Sequence, residues 1–377
     1  MQASTVCTPI GGDDDTIYVA IELSQKGWLI VLHSPAQKGL ARHKLEAGGC
    51  EALLSLLATK QAQVERMTGR RPSVVSCYEA GYDGFWLHRR LAAAGIENLV
   101  IDPASLSVER RARRAKTDRI DGEKMLRALL AYRRGEPRVM SAVRVPTVAQ
   151  EDARRRSRER ERLIKEQTGH VNRIRGLLRT MGLPAGEPGR ADWPRKWLAQ
   201  QVDWQGQALP ALLVAELGRE HARLMMVRGQ LAELGEEALP QEAAAKARQL
   251  MRLKGLGPVS ATTLVSEVFW KDFKNRREVG SYLGLTPSPW QSGAVAYDQG
   301  ISKAGNRRAR HVTLELTWLW LHNQPQSALS RWFRERVGEQ RGRIRRIAIV
   351  ALARKLVIAL WRFLTLGIVP DDAVLKA

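Results

Sequence analysis

The stretch TIYVAIELSQKGWLIVLHS, residues 16–34, decides the fold of the first part of this 377-residue chain. Two short runs rich in Ile, Val, Leu and aromatic residues are separated by polar and glycine residues, which is the pattern of two β-strands. A weaker strand, ARHKLEA, and a helix, EALLSLLATKQAQVERM, come next. A strand, a helix and a strand then alternate at SVVSCYEA, GFWLHRRLAAAG and NLVID, and a helical region begins near residue 104. This order predicts a mixed sheet covered by helices, an α/β fold.

The composition favours a polyanion as the partner of this chain. The formal net charge is +22 and the pI is about 10.6, with basic residues along most of the sequence. Such a field attracts nucleic acid first and an anionic membrane surface second, while a soluble protein that is merely basic is the alternative. The length allows two or three domains, and the apolar fraction of 44% is typical of a folded chain.

The cysteines, histidines and apolar segments exclude several classes of protein. The three cysteines are far apart and match no metal-ligand spacing, which indicates free thiols in a reducing cytosol, and the histidines do not cluster. The first residues lack a signal pattern. The late stretch IAIVALARKLVIALWRFLTLGIV is interrupted by basic residues, which predicts a buried amphipathic helix and not a membrane span. We expect a cytoplasmic protein, nucleoid-associated when bound to DNA.

From about residue 145 the pattern becomes that of a helical arm. A coiled-coil seam is predicted at Ile164, Val171, Ile174, Leu178 and Met181, with Gln167 in its one gap. The Pro- and Gly-rich GLPAGEPGRADWP then breaks the helix, and a second seam is predicted at Leu224, Val227, Leu231 and Leu234. Two such helices predict a projecting hairpin, and the pattern leaves open whether they pack within one chain or in a dimer.

The last third begins with LMRLKGLGPVSATTLVSEV. Two helices joined by Gly-x-Gly can direct backbone N–H groups at a phosphate, although a plain turn between helices is the alternative. A segment rich in loops and basic residues and two further amphipathic helices are expected after it. The predicted domains are therefore residues 1–144, 145–245 and 246–377.

Four acidic residues of the first domain are candidate ligands of a hard cation. Glu22 lies in the first strand, Glu79 ends the fourth, and Asp118 and Asp121 share one face of a helix. Strand ends and a helix face can converge on one point, and Mg²⁺ prefers oxygen ligands. The alternative is that Asp118 caps a helix and Asp121 is favoured there by the helix dipole. Glu22, between Ile21 and Leu23, needs a partner or a metal if its neighbours pack inward.

The order of these acidic residues and the ribonuclease-H-like strand pattern resemble the DEDD insertion-sequence transposases, whose first domain is related to the RuvC Holliday-junction resolvase. In the last third, GLGPVSATTL, YLGLTPSPWQSG and ISKAGNRRAR resemble that family's C-terminal transposase domain. The resemblance covers almost the whole chain. It implies an RNase H-like (RuvC-like) mixed sheet, a central coiled-coil arm and a mostly helical transposase domain, which together form an α/β plus all-α architecture.

The resemblance also implies a function. The family is similar to recombinases that cut and rejoin DNA strands to move an element, guided by a structured bridge RNA. An acidic tetrad would bind Mg²⁺, a serine would form a covalent link to DNA phosphate, and domains of different protomers would build each active site in a dimer or tetramer. The implied partners are double-stranded DNA and the guide RNA. The implied site residues are Glu22, Glu79, Asp118, Asp121 and Ser292.

At two positions, Glu22 and Ser292, the chemistry that the resemblance implies needs separate support from the residues. The family commonly has Asp where this chain has Glu22, whose carboxylate lies one methylene further from the backbone, so the metal geometry is open. Ser292 would otherwise be a turn serine beside Gly293, with no histidine near it in sequence. Phosphoryl transfer instead needs a metal or base and cations around the phosphate.

Basic and aromatic residues complete the candidate site. Phosphate contacts are predicted at Arg110, Arg111, Arg113, Arg114, Lys116, Lys303, Asn306, Arg307, Arg308 and Arg310, and the alternative is a solvated basic face. The run RRRSRERER, residues 154–162, could hold nucleic acid or could pair with neighbouring glutamates at helical spacing. Bases could stack on Trp193, Trp197 and Trp204, although packing is the commoner role of tryptophan, and Trp318 and Trp320 are expected in the core.

Two other functions remain open from the sequence. One is a structure-specific nuclease of the Holliday-junction type, which would use the same carboxylates and leave free DNA ends. The other is a scaffold that binds nucleic acid without catalysis, which the Glu22 departure would allow.

Overall fold

The computed structural model describes residues 15–34, 39–106, 118–236, 239–292 and 295–376. The chain divides into two compact units, Met1–Val145 and Pro146–Ala377. The first boundary lies within one residue of the predicted end of the first domain, and the predicted division at residue 245 stays a prediction. None of the helices in the described ranges is long and apolar enough to cross a membrane.

The described part of the first unit forms a five-stranded mixed sheet with helices on both faces. Its strands follow the order β3-β2-β1-β4-β5. Strand β2 runs antiparallel to both β1 and β3, and strand β4 runs parallel to both β1 and β5. The elements are β1 (Thr16–Ser24), β2 (Gly27–His33), β3 (Leu40–Leu45), α1 (Cys50–Thr68), β4 (Ser73–Glu79), α2 (Trp86–Ala93), β5 (Glu97–Ile101) and α3 (Asp118–Arg133). All five predicted strands and the helices between them are confirmed. The helical region expected from residue 104 comprises a short 3-10 turn, Pro103–Ser105, and α3, while residues 107–117 lie outside the described part.

Side chains alternate between the two faces of this sheet, as strand geometry requires. On β1, Ile17, Val19 and Ile21 pack on the face covered by α1 and α2. Tyr18 and Ala20 point to the opposite face, which is covered by the apolar side of α3. The sheet is therefore buried on both faces, which explains why β1 and β2 are apolar at nearly every position.

In its described residues, the second unit is helical apart from one two-stranded hairpin. Its elements are α4 (Val148–Arg179), α5 (Trp193–Lys196), α6 (Ala211–Glu236), α7 (Gln241–Met251), α8 (Pro258–Glu267), α9 (Arg276–Tyr282), β6 (Pro287–Ser292), β7 (Val295–Ile301), α10 (Arg307–Asn323), α11 (Ala328–Val337) and α12 (Arg343–Leu366). The last third was expected to hold a segment rich in loops and basic residues followed by two amphipathic helices, and the number of helices is wrong. The segment contains β6 and β7, and three helices follow it.

The arm helices α4 and α6 pack against each other within one chain. Ile174 and Leu178 of α4 share a core cluster with Leu217 and Leu224 of α6. An ion pair also joins the helices, with the Arg173 Nη2 atom 2.6 Å from the Glu216 Oε1 atom. The predicted hairpin is therefore confirmed. The seam is wrong at one turn, where Leu163 is buried and Ile164 is only half-buried.

A large apolar cluster holds the remaining helices together. Leu250, Leu264, Leu316 and Leu356 from α7, α8, α10 and α12 are fully buried in it. The prediction of a buried amphipathic helix near the end of the chain is thereby confirmed. Trp320 is buried in the same cluster, but Trp318 is 42% exposed, so its predicted place in the core is wrong.

Candidate active site

Two of the predicted carboxylates lie at the same end of adjacent parallel strands. Glu79 is the last residue of β4, and the β1–β4 register pairs Ile21 with Tyr78, one residue before Glu22 and Glu79. Both carboxylates point to the face that Ala20 and Cys77 share with α3, because side chains alternate along each strand. Both are half-buried. The fold therefore brings Glu22 and Glu79 together at one edge of the sheet.

The first turn of α3 reaches this same edge. A Cβ atom on Gly122 would lie 2.8 Å from Cγ2 of Val31 and 3.8 Å from Cδ2 of Leu29, so the helix backbone rests directly on β2. Leu29 is the residue paired with Glu22 across β1 and β2. Asp121, next to Gly122, is half-buried on this turn. The side chain of Asp118 lies outside the described residues.

Glu123 on α3 forms ion pairs with arginines. Its carboxylate accepts hydrogen bonds from Arg119 at 3.0 Å and from Arg42 of β3 at 2.9 and 2.6 Å. The bond from Arg119, followed by that from Arg42, lowers the pKa of Glu123 below its ordinary value. This group ties α3 to the sheet and is not a candidate metal ligand.

The donors at this edge suit a hard cation in kind. Glu22, Glu79 and Asp121 offer carboxylate oxygens alone, the ligands that Mg²⁺ prefers. Within the described ranges, however, no three His, Cys, Asp or Glu side chains form a group that could hold a metal ion. Glu22, Glu79 and Asp121 are all described, so the structure does not bring Asp121 together with the other two as one metal-binding group, and metal binding by the four carboxylates stays a prediction.

Cys77 lies beneath Glu79 on the same face. It is fully buried, and this burial, reinforced by the negative charge of Glu79, raises the pKa of its thiol. The thiol therefore stays protonated and is a poor nucleophile at neutral pH. The free cysteine expected from the sequence is confirmed at Cys77 and at the buried Cys50.

Ser292 lies on the second unit, at the end of β6. Its backbone pairs with Val295 of β7, and its side chain is exposed. Two residue pairs further back, the rings of Trp290 and Tyr297 meet across the strands with centroids 4.7 Å apart. This aromatic pair fixes the hairpin from which the Ser292 hydroxyl projects. Residues 293–294 lie outside the described part.

Two glycines allow the segment after β7 to approach α9 closely. A Cβ atom on Gly284 would lie 1.9 Å from the carbonyl oxygen of Ala304, and one on Gly305 would lie 2.3 Å from that of Tyr282. Both glycines have positive φ, +65° and +90°. The glycines in the motif that resembles the family, YLGLTPSPWQSG followed by ISKAGNRRAR, are thus explained by the close contact between two chain segments.

Asn306 and Arg308, both predicted to contact phosphate, have protein partners instead. The Asn306 side chain accepts from the backbone N–H of Ala309 at the start of α10 and donates to Oε2 of Glu267 at 2.9 Å. Arg308 donates to Glu161 and lies 3.5 Å from Glu267. These two residues hold α10 on its neighbours, and their predicted role as free phosphate contacts is not supported by this arrangement.

Glu267 is the buried centre of that arrangement, and sequence reasoning missed it. It is 1% exposed and forms a two-pronged ion pair with Arg158 of α4, with distances of 2.8 and 3.2 Å. Burial acts to raise its pKa, but the Arg158 hydrogen bond and charge, with Asn306 and Arg308, bring the net pKa below the ordinary value. A carboxylate inside the apolar run TTLVSEVFW was the signal that could have indicated it.

The other predicted phosphate contacts divide into three groups. Lys303 and Arg307 are exposed and remain candidates. Arg310 donates to the carbonyl oxygen of Leu283 at 2.8 Å, and burial together with the charge of Arg307 lowers its pKa. The remaining group, Arg110, Arg111, Arg113, Arg114 and Lys116, lies outside the described residues.

Two arginines of the run 154–162 are neutralised by acidic residues of the arm itself. Arg155 pairs with Asp152 at 3.4 Å, and Arg162 lies 3.4 Å from Glu159 and 3.7 Å from Glu166. These are pairs at helical spacing, the alternative that the sequence left open, and they reduce the charge available to nucleic acid.

The tryptophans after α4 are mainly structural. Trp193 is 2% exposed, donates to the carbonyl oxygen of Ala185 at 2.9 Å and stacks on Trp197 with centroids 5.4 Å apart. Trp204 is 83% exposed, and base stacking stays a prediction for that residue.

Comparison with known proteins gives a consistent result. Residues 247–331 match the model of the "Transposase IS116/IS110/IS902 family", a span that includes Ser292. The protein y4rJ of Sinorhizobium fredii, named a transposase, is 45% identical over 384 residues, covering 98% of this chain and 97% of that protein. The transposase for insertion sequence element IS1111A of Coxiella burnetii is 26% identical over 322 residues, covering 81% of this chain and 82% of the relative.

Proposed function

The chain belongs to the IS116/IS110/IS902 family of transposases, and from this premise we propose that it moves a DNA element by serine-based strand exchange. The observation that carries the proposal is the exposed position of Ser292 at the end of β6, inside the segment that matches the family. Lys303 and Arg307 are exposed later in that segment and can hold a phosphate by charge.

The proposed covalent step conserves phosphoester bonds. The Ser292 hydroxyl gives its proton to a base, and Oγ bonds to the DNA phosphorus while the bond from phosphorus to one sugar oxygen breaks. The departing oxygen takes a proton and becomes a free sugar hydroxyl. Attack by a sugar hydroxyl of another strand reverses the step and releases Ser292, so rejoining needs no ATP.

We assign the carboxylates to Mg²⁺ binding. Support comes from Glu22 and Glu79 at one edge of adjacent strands and from Asp121 on the helix turn above that edge, with Asp118 as the fourth ligand. Bound Mg²⁺ would stabilise charge on the phosphate and favour the ionised form of an attacking hydroxyl. The order of three antiparallel strands followed by two parallel ones supports an RNase H-like domain related to RuvC.

A structured bridge RNA and double-stranded DNA are the proposed partners. Support comes from the excess of basic residues, whose field attracts phosphate backbones without reading sequence. The proposed active protein is a dimer or tetramer in which Ser292 of one protomer acts with the carboxylates of another.

The experiment is a strand-exchange assay with the co-purifying RNA, Mg²⁺ and DNA that carries the element ends. Ser292→Ala should abolish both exchange and a protein–DNA adduct that survives denaturation. Ser288→Ala, on the same strand, is the matched control and should keep both. Glu79→Gln and Asp121→Asn should lower exchange by about a hundredfold or more while RNA binding persists. Full activity of all three site variants would refute the proposal.

Two further outcomes would change the proposed function. Free DNA ends without any adduct would indicate a junction-resolving nuclease. No Mg²⁺-dependent change in DNA under any guide would indicate a scaffold without catalysis. Treatment with ribonuclease tests the RNA separately, because unchanged exchange after treatment would refute guidance by RNA.

A further inference from the structure

The second unit has an open groove of about 960 Å³ between α9, the base of the β6–β7 hairpin and the first half of α12. Its floor is apolar, with Leu285, Ile301 and Val350 among the residues that form it. Its rim is basic. The cations that line it are Arg276, Arg277, Lys303, Arg343, Arg346, Arg354 and Lys355.

These cations differ from several arginines of the arm, because no ion pair joins any of them to a described acidic side chain. Among the described side chains, the lining includes no Asp or Glu. Across the described ranges, ion pairs occupy Arg155, Arg158, Arg162 and Arg308, whereas none of the seven groove cations takes part in one. A concave surface with cations of one sign focuses its field and attracts an anionic chain.

The packing of α9 against α12 shapes the groove. Gly280 of α9 leaves space for the side chain of Arg354, since a Cβ atom there would lie 3.0 Å from its Nε atom. Arg354 is half-buried and thus crosses the groove between α12 and α9. The volume falls within the ~300–1,000 Å³ of sites that enclose drug-sized ligands, which suits a few nucleotides of a single strand whose unpaired bases reach the apolar floor.

The hairpin connects this groove to Ser292. Pro287 and Ile301 pair at the hairpin base, which lines the groove, and Ser292 and Val295 pair at the far end. Five residues of strand separate Pro287 from Ser292, a length of roughly 17 Å. A strand whose phosphates rest on the rim can therefore continue along the hairpin to the serine hydroxyl.

We propose that this groove binds single-stranded DNA next to the phosphodiester that Ser292 attacks, with bases on the apolar floor and phosphates on the basic rim. The identity of the strand as DNA rests on the proposed function of Ser292. The groove requires a locally unpaired strand, so the duplex must open beside the bond that is exchanged.

The test is the affinity of the full chain for a single-stranded DNA oligonucleotide at several salt concentrations. Arg343→Gln/Arg346→Gln removes two exposed rim cations. The matched control, Arg345→Gln/Arg362→Gln, removes two exposed charges from the same helix outside the groove. The groove variant should bind on the order of tenfold more weakly, and its slope of log affinity against log salt should fall by about 1.4. The control should retain the slope of the parent protein.

A second measurement avoids substitutions in the groove. Bound single-stranded DNA should protect Lys303 and Lys355 from amine acetylation and leave Lys165, on the arm, reactive. Equal slopes in the two double variants, unprotected groove lysines, or a loss confined to duplex DNA or to RNA would overturn the proposal. The affinity is also measured with Ser292→Ala, which should bind the oligonucleotide as the parent protein does. Absence of an adduct from the parent protein, with the groove variant still impaired in binding, would refute the proposed function and leave the groove as a single-strand site.

Discussion

Glu267 shows how one buried charge can determine the arrangement of three helices. Its carboxylate joins Arg158 of α4 to Asn306 and Arg308 at the start of α10, while Glu267 itself ends α8. Each of these groups satisfies a donor or acceptor that burial would otherwise leave unpaired. The sequence could not predict this role for Asn306 and Arg308, because their partner Glu267 lies about forty residues away along the chain. The sequence also does not distinguish an arginine that is exposed from one that is paired with a carboxylate.

We predict that Glu267→Gln destabilises the second unit strongly. The substitution removes the charge that Arg158 and Arg308 face, which costs about 1.5–3 kcal/mol, because Arg158 is half-exposed and Arg308 keeps Glu161 as a partner. Glu159→Gln, which removes one partner of an exposed arm pair, should change the free energy of unfolding by less than about 1 kcal/mol. Chemical denaturation measures both, and equal effects would contradict the buried role of Glu267.

The same pair gives a pH dependence with a definite sign. The folded-state pKa of Glu267 is below its ordinary value of 4.5, so its contribution to stability is fully present above that value. The contribution is lost as the pH falls through the lower, folded-state pKa. The parent protein should therefore lose more stability than Glu267→Gln between pH values of about 5 and about 2. Parallel acid curves for the two proteins would contradict this prediction.

At the scale of single elements, the close approach of α3 to β2 positions Asp121. Because the Gly122 Cβ position lies 2.8 Å from Val31, Gly122→Ala should push the helix off the sheet. Alanine is a better helix former by about 1 kcal/mol, but such overpacking costs about 1–3 kcal/mol and would displace the carboxylate. We predict that strand exchange falls by about tenfold or more.

The control for that prediction is a second substitution on the strand. Val31→Ala removes the methyl groups that the new side chain would strike, so the double variant Val31→Ala/Gly122→Ala should recover exchange relative to Gly122→Ala alone. Gly229→Ala on α6 meets nothing within 4 Å and should leave exchange unchanged. Failure of Val31→Ala to restore activity would show that the contact does not position Asp121.

The arm shows how much of a helix pairing can be predicted from a periodic apolar pattern. The repeat correctly predicted two helices and their pairing, because buried positions recur every three or four residues. It placed one turn of the seam at Ile164, although Leu163 is the residue that packs beside Val227 and Leu234. Neighbouring Leu and Ile are equally apolar, so the sequence alone could not choose between them.

We predict that Leu163→Ala costs about 2–4 kcal/mol of unfolding free energy, and that Ile164→Ala costs less than about 1.5 kcal/mol. The first leaves a cavity between α4 and α6, whereas the second removes a side chain that is already half in water. Comparing the two by urea denaturation distinguishes the observed seam from the predicted one, since the reverse order would favour Ile164 as the buried position.

The β6–β7 hairpin was missed for a physical reason. Five of the six residues of β6 are exposed, so the alternation of apolar and polar residues that predicts a strand is absent. Two prolines, Pro287 and Pro289, also argued against a strand, although an edge strand tolerates them. An exposed hairpin carries little folding information, which is consistent with a role in contacting a substrate.

At the scale of the whole molecule, positive charge is concentrated in the second unit. Residues 146–377 contain 39 of the 61 Lys and Arg but 23 of the 39 Asp and Glu. The predicted carboxylate site therefore lies in the less positive unit, and the proposed serine lies in the more positive one. The α/β character of one unit and the helical character of the other were predictable from sequence periods. The grouping of charges within each unit was not, because it depends on contacts between distant segments.

The proposal that protomers share active sites makes a prediction about mixtures. Ser292→Ala and Asp121→Asn proteins should each be inactive alone. When they are mixed and allowed to exchange subunits, a mixed dimer would contain one site with two intact halves, namely Ser292 from one protomer and the carboxylates from the other. The second site of that dimer would lack both. Strand exchange should then recover partially, in proportion to the fraction of mixed dimers.

The control for this complementation uses two variants of the same half-site. Mixing Glu79→Gln with Asp121→Asn cannot generate an intact set of carboxylates in any dimer, so this mixture should stay inactive. Ser292→Ala with Glu79→Gln should recover like the first pair, because the damaged halves again differ. If neither mixed pair recovers although subunits demonstrably exchange, then each serine acts with the carboxylates of its own chain. In that case the two units of one protomer must come together on the same phosphodiester.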